Sequence, residues 1–276
     1  LNIKEYAISK GYSIEPIKFR KSKSEYGFDK ETNKIYQGIA SIKYCNSIIA
    51  DELYMLKDNK YNSFVELLAD IKNKTSVNSR QLEILTGLNF FSEFGKNKYL
   101  LNIIQVYDKF SSCKQINKSK LDSLGISEYI AKKHSKKETA SLFKEIDNIG
   151  LITDLCQTME NIEMGIIEMV KFEKEHLDMV VYTNDKVGDS YYIIVDYKTY
   201  KDTSKPYFTA RKIKTGEEVH SKIKQGKIFK ENPFGLYSVL KINSFTPTPK
   251  TKFIDGKWQK TDEMEDILTD YEVIKS

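Results

Sequence analysis

Residues 191–260 interleave cations with aromatic rings, the mixture that a single nucleic-acid strand needs. The cations include Lys198, Lys201, Lys205, Arg211, Lys212, Lys214, Lys222, Lys224, Lys227 and Lys230. The rings include Tyr192, Tyr197, Tyr200, Tyr207, Phe208, Phe229, Tyr237 and Trp258. Cations track the phosphate backbone, and exposed rings stack bases for about 1–3 kcal/mol each. The segment carries 15 Lys and Arg against 6 Asp and Glu, a local charge of +9, and residues 261–276 carry 1 against 6, a local −5. The whole 276-residue chain sums to only +5, so residues 1–190 are close to neutral at +1. Charge is therefore concentrated in one segment, at a level that supports salt-dependent phosphate binding. In the hairpin 207–224, Phe208, Ala210, Lys212 and Lys214 share one strand parity, and Tyr207, Thr209, Arg211 and Ile213 share the other. Cations on both faces point to a binding surface or a projecting hairpin, because a one-sided sheet would bury one set. The candidate strand-binding residues are Lys198, Tyr207, Arg211, Lys212, Lys214, Lys222 and Lys224. In 191–200 and 236–245 the rings read as core, and the acidic stretch 262–270 reads as a solvated helix face.

Other chemistries lack their residues. The three histidines, His134, His176 and His220, form no HxxxH pair, and no GxSxG, Walker A or GxGxxG motif occurs. Cys45, Cys113 and Cys156 lie far apart with no CxxC spacing, which argues against structural zinc and a disulfide framework and for the reducing cytoplasm. No cofactor is expected. No apolar run approaches the roughly 18 residues of a membrane helix, and no secretory leader opens the chain. The chain opens at Leu1 rather than Met, which reads as a truncated or trimmed protein.

The elements that would position these residues change character near residue 190. Before it, apolar residues recur at helical spacing over 47–56, 63–71, 79–85, 98–110, 138–146 and 151–172. Ser63 followed by Glu66 has the form of a capping box. After residue 190 the pattern alternates: a strand over 191–200, a hairpin 207–224 turning at 215–217, a strand over 236–245, and a turn at Asp255-Gly256. Residues 264–271 read as a short closing helix before a last strand. Short strands at this spacing suit a small barrel.

The N-terminal segment carries a further pattern. Gly11, Pro16, Phe28, Gly38-Ile39, Ile42-Lys43, Phe64, Leu67-Leu68, Leu82, Leu85, Phe91, Phe94-Gly95, Leu100 and Leu101 follow one another in a defined order. This order resembles the fingers region of the bacterial replicative DNA polymerase III alpha subunit, over roughly residues 4–106. The resemblance implies a helix-hairpin-helix over residues 38–56, whose family turn is Gly-Val-Gly. Such glycines let backbone N–H groups approach a DNA phosphate. Here Tyr44-Cys45-Asn46 stands in their place. Asn46 can cap the next helix and Lys43 can meet a phosphate, so Lys43, Tyr44 and Asn46 join the candidate DNA-binding residues. A weakened DNA contact and a purely structural hairpin both remain open. The palm aspartates of that family have no counterpart, so the chain alone is not expected to polymerise, although its parent would be a DNA-directed DNA polymerase.

The expected fold class is α+β and multidomain. It comprises an all-α helix-hairpin-helix-like module (1–112), a helical linker (113–178) and an OB-fold-like β-barrel (179–276). The expected partner is DNA, single-stranded or duplex, with other replisome subunits possible and no membrane. The competing reading is a replisome scaffold or protein-interaction module without direct DNA contact.

Overall fold

Asn78 and Gln81 start a helix by satisfying each other: each side chain accepts from the other residue's backbone N–H, at 2.9 and 3.0 Å. Such reciprocal caps fix where a helix begins. The computed structural model describes residues 10–177, 179–254 and 256–275. The chain divides into two compact units, Leu1–Met164 and Gly165–Ser276.

The first unit opens with β1 (Ser13–Glu15), β2 (Gly27–Asp29) and β3 (Lys34–Tyr36), in sheet order β1-β3-β2. A 3₁₀ turn at Ile39–Ser41 leads into α1 (Ser47–Met55), α2 (Phe64–Lys74), α3 (Ser79–Gly87) and α4 (Asn97–Phe110). Ser63 caps α2 by accepting from Glu66 N–H at 3.3 Å, and the Glu66 carboxylate accepts from Asn62 N–H at 2.8 Å. Leu67, Leu68 and Ile71 of α2 and Leu100, Ile103 and Ile104 of α4 are buried at the helical spacing read from the sequence. Phe19, Phe64, Phe90, Phe91 and Phe94 form one aromatic cluster, with centroids as close as 4.8 Å. The Phe19 amide donates to the Phe90 carbonyl at 2.8 Å, tying the N-terminal segment to the helices.

This unit is not all-α, and the stretch after residue 112 is not wholly helical. It contains β4 (Gln115–Asn117), α5 (Lys118–Ser123), α6 (Glu128–Lys133), β5 (Ser135–Glu138), β6 (Leu142–Ile146) and α7 (Asn148–Gln157), with sheet order β4-β6-β5. Residues 138–146, expected as helix, run from the end of β5 into β6, the middle strand. Phe143 is fully buried and sits opposite Ile116, while Leu142 and Lys144 remain partly exposed. Pairing on both edges satisfies this backbone in a way that local propensity did not foretell. The expected single helix over 151–172 is two helices. Asn97 Oδ1 accepts from Met164 N–H at 2.9 Å, and Tyr99 N–H donates to Ile162 O at 3.1 Å, holding the interval extended.

The second unit comprises α8 (Ile166–Leu177), β7 (Tyr191–Lys198), β8 (Tyr207–Lys212), β9 (Glu218–Lys222), α9 (Gly226–Glu231), β10 (Val239–Ile254) and β11 (Lys257–Lys275). The five strands form a closed barrel in the order β10-β11-β9-β8-β7, with β10 returning to β7. Successive strands pair antiparallel, except that β9 and β11 pair parallel at Ser221↔Asp266 and Lys222↔Ile267. Ile194, Phe208, Ala210, Phe234, Leu240, Leu268 and Tyr271 fill the interior. Val170 on α8 packs with Ile193, Val195 and Ile213 in a second cluster. Residues 264–271, expected as a solvated helix, lie within β11. Ile267, Leu268 and Tyr271 are buried there. At the expected turn 255–256, Gly256 has φ +75, while Asp255 and the Trp258 side chain lie outside the described residues, as do residues 4–9 of the expected N-terminal match. Among the described residues no helix is long and apolar enough to cross a membrane.

Candidate nucleic-acid interface

In the first unit the hairpin between the 3₁₀ turn and α1 is closed by Cys45 N–H donating to Ile42 O at 3.1 Å. Asn46 caps α1 as its type implies, accepting from Ile49 N–H at 3.1 Å. Tyr44 has φ +69, a left-handed conformation that favours glycine. Two contacts hold it there: Gln81 Nε2 donates to the Tyr44 carbonyl at 2.9 Å, and the Arg80 guanidinium stacks over its ring at 3.5 Å. Here the side chain covers a turn that glycines would leave bare. Lys43 is exposed beside it. Burial pushes the Cys45 thiol up to about 11, so it stays protonated at neutral pH.

In the second unit the predicted residues separate into two groups. Lys198, Tyr207 and Lys222 are cross-strand neighbours at one end of the β7-β8-β9 sheet. The Tyr207 ring meets the Tyr200 ring edge to face at 5.4 Å, with Lys198 Nζ 5.1 Å from the Tyr200 ring and Lys222 Nζ 5.2 Å from the Tyr207 ring. Tyr200 is 59% exposed and Tyr207 45%. Next along the same face, Thr209 Oγ1 and His220 Nδ1 are 2.9 Å apart. Arg211, Lys212 and Lys214 lie toward the other end of the hairpin, about 13 Å away along the strand. Arg211 donates to the Gly216 carbonyl at 2.6 Å and pairs with Glu218 at 3.1 Å. Lys212 and Lys214 share Asp189, at 3.5 and 2.9 Å. These three cations close a turn and a neighbouring loop.

Charge is also matched across the barrel. Glu265 on β11 pairs with Lys222 at 2.7 Å and Lys224 at 3.4 Å. Burial raises the Glu265 carboxyl, but the two ammonium groups outweigh it and hold it below the usual carboxylate range. The acidic stretch therefore neutralises part of the basic patch rather than standing apart from it. Lys198 meets a ring instead.

Two features were not singled out from sequence. Tyr200 was one ring among many until the fold set it against Tyr207. β10 and β11 also continue pairing as far as Ile254↔Lys257, forming a long two-stranded arm with Lys250 and Lys252 both paired to Glu263. The Thr-Pro-Thr-Pro alternation at 246–249 was the available signal, since proline in a strand marks an edge.

A family model for the helix-hairpin-helix motif matches residues 11–101. No curated protein matches the chain. The match takes in the hairpin at Tyr44, and the motif points to binding of nucleic acid.

Proposed function

We propose that this chain is a DNA-binding module whose barrel takes single-stranded DNA and whose hairpin at Lys43–Asn46 contacts a phosphate. The observation that carries it is the exposed Tyr200–Tyr207 ring pair bracketed by Lys198 and Lys222. Rings stack bases and cations follow the backbone. The barrel's strand order, its parallel β9–β11 closure and α9 between the third and fourth strands fit an OB fold, which binds oligonucleotides on its second and third strands. Those strands are β8 and β9. The motif order from Gly11 to Leu101 supports a place in the C-terminal part of a DNA polymerase III alpha-like replicative polymerase. There the module would hold template without performing chemistry, alongside other replisome subunits. Three cysteines without a disulfide suit a cytoplasmic protein.

The test is fluorescence anisotropy of labelled oligothymidylate and of duplex DNA, titrated across salt. The expected result is binding at low salt that falls steeply as salt rises, with Tyr200→Ala and Tyr207→Ala each weakening the single strand by about 1–3 kcal/mol. Absence of binding at low salt refutes the reading. A second reading, a protein-docking barrel, is favoured by the carboxylates: Glu265 and Asp189 occupy four of the predicted cations. It expects the Tyr200 and Tyr207 variants to leave DNA affinity unchanged.

A further inference from the structure

The first unit carries a cleft of about 610 Å³ between residues 20–31 and the end of α1, lined by Lys21, Lys23, Phe28, Tyr36, Tyr54 and Lys57 among others. Its size lies within the usual range for small-molecule sites, roughly 300–1,000 Å³. Its cations differ in their partners. Lys21 pairs with Asp29 at 3.0 Å. Lys23 and Lys57 form no direct ion pair among the described residues, with the Asp58 carboxylate near enough to Lys57 to favour its charged form; both ammonium groups face the Tyr54 ring, at 5.0 and 4.2 Å. Lys57 also donates to the Tyr54 hydroxyl at 3.1 Å. Lys57 most of all, opposed by burial and joined by Lys23, holds the Tyr54 phenol below its ordinary range. Asp29, Glu31 and Asp58 also line the cleft, so its five cations exceed its acids by two.

Both lysines are anchored through backbone. Ile39 N–H donates to the Lys23 carbonyl at 2.9 Å, and Ala40 N–H to the Ser24 carbonyl at 3.1 Å. This close approach needs Gly38, since a Cβ there would lie 2.7 Å from Glu25 C and 2.8 Å from Glu25 Cα. On the other wall, Arg20 donates to the carbonyls of Lys57 and Asn59 and pairs with Glu93. Two cations outside direct ion pairs are thus held on one ring, and Phe28, packed edge to face with Tyr12 at 5.4 Å and still 49% exposed, offers an apolar face at the same cleft.

We propose that this cleft binds a nucleoside phosphate, the phosphate between Lys23 and Lys57 and the base against Phe28. The ring favours a nucleotide over a bare anion or an acidic peptide, because stacking rewards a planar base. The ligand is either a free nucleotide or the phosphorylated end of a strand. The site lies in the first unit and is independent of the barrel reading.

The test is calorimetric titration of the whole chain with AMP, with inorganic phosphate, with polyglutamate, and with a short oligothymidylate bearing or lacking a 5′ phosphate. AMP is expected to bind in the millimolar range or tighter. The Lys23→Ala/Lys57→Ala double variant should weaken it about tenfold or more, and Phe28→Ala should weaken AMP but not inorganic phosphate. AMP binding, with equal affinity for the phosphorylated and unphosphorylated oligomers, identifies a free nucleotide; tighter binding of the phosphorylated than of the unphosphorylated oligomer, lost in the lysine double variant, identifies a strand end. Both support the proposal. Absence of AMP binding together with equal affinity for the phosphorylated and unphosphorylated oligomers overturns it, as does AMP affinity indifferent to the lysines, or capture of polyglutamate in preference to AMP. Lys23→Gln/Lys57→Gln repeats the measurement if the alanine variant fails to fold. Tyr207→Ala should leave AMP binding unchanged, so failure of this cleft and failure of the barrel site are told apart.

Discussion

Glu265→Gln is the substitution that bears most directly on the barrel face. The carboxylate lies 2.7 Å from Lys222 and 3.4 Å from Lys224, and its side chain is only 15% exposed. If Lys222 and its neighbours track a strand, Glu265 competes with phosphate for them. A phosphate on the far side of Lys222 would sit roughly 8 Å from the carboxylate, where a unit charge contributes about 0.5 kcal/mol in water and about 2 kcal/mol near a protein surface. Glu265→Gln should therefore tighten single-strand binding between about twofold and thirtyfold at low salt. Releasing one or two cations to phosphates should also steepen the dependence of log affinity on log salt by about 0.7–1.4. The stability cost should exceed that of a surface pair, about 1–3 kcal/mol, because the Lys222 and Glu265 side chains are only 18% and 15% exposed. The assay is anisotropy of labelled oligothymidylate across a salt series, with a thermal melt to establish folding. A folded variant with unchanged affinity and slope would refute phosphate tracking on this face. Acid offers a check on the same contact. The folded pKa of Glu265 is depressed below its ordinary 4.5, so its contribution to stability is complete above that value. That contribution is lost as pH falls through the lower folded value. Glu265→Gln should reduce acid sensitivity in that window.

The remaining predictions concern the scaffold. Phe234 is 5% exposed and meets the rings of Phe208, Phe229 and Tyr271 at 5.1, 5.3 and 5.3 Å, so Phe234→Ala should cost about 3–5 kcal/mol in urea unfolding of the barrel. Burial, with Tyr197 adding, pushes the Tyr271 phenol up to about 12 from 10.0. Its stabilising contribution is complete below the unfolded value and lost as pH rises toward the folded one, and Tyr271→Phe should flatten stability over that window in alkaline melts. Asn46→Ala removes the cap of α1 and should lower the melting transition of the first unit by an amount equivalent to about 1 kcal/mol.

The helices of the first unit were legible because their signals are local. Apolar residues three and four apart in α2 and α4, with caps at Ser63 and Asn46, depend on little beyond their own turns. The strands were legible where alternation was clean, as in β8. They were hidden where distant pairing overrides local pattern. Residues 264, 267, 268 and 271 have helical spacing, yet Ile267 pairs in parallel with Lys222, and register shifts along β10–β11 let Leu268 and Tyr271, three apart, share the barrel interior. No window around residue 265 contains Lys222, so no local pattern could show that an acidic stretch lies against a basic one.

The same separation governs the candidate site. Along the chain, +9 followed by −5 reads as a patch and a tail. In the barrel the two run side by side, and Glu265 takes up Lys222 and Lys224 while Asp189 takes up Lys212 and Lys214. A count of cations therefore overstates the field available to a ligand. What survives the folding is smaller and more specific: Lys198 on the Tyr200 ring, and the exposed Tyr207 ring against it. Affinity at such a face should depend more on stacking than on charge, since its rings are exposed and most of its neighbouring ammonium groups already have partners. Substitution of Tyr200 or Tyr207 should then weaken single-strand binding more than substitution of Lys212 or Lys214, the reverse of what the charge distribution along the chain implies.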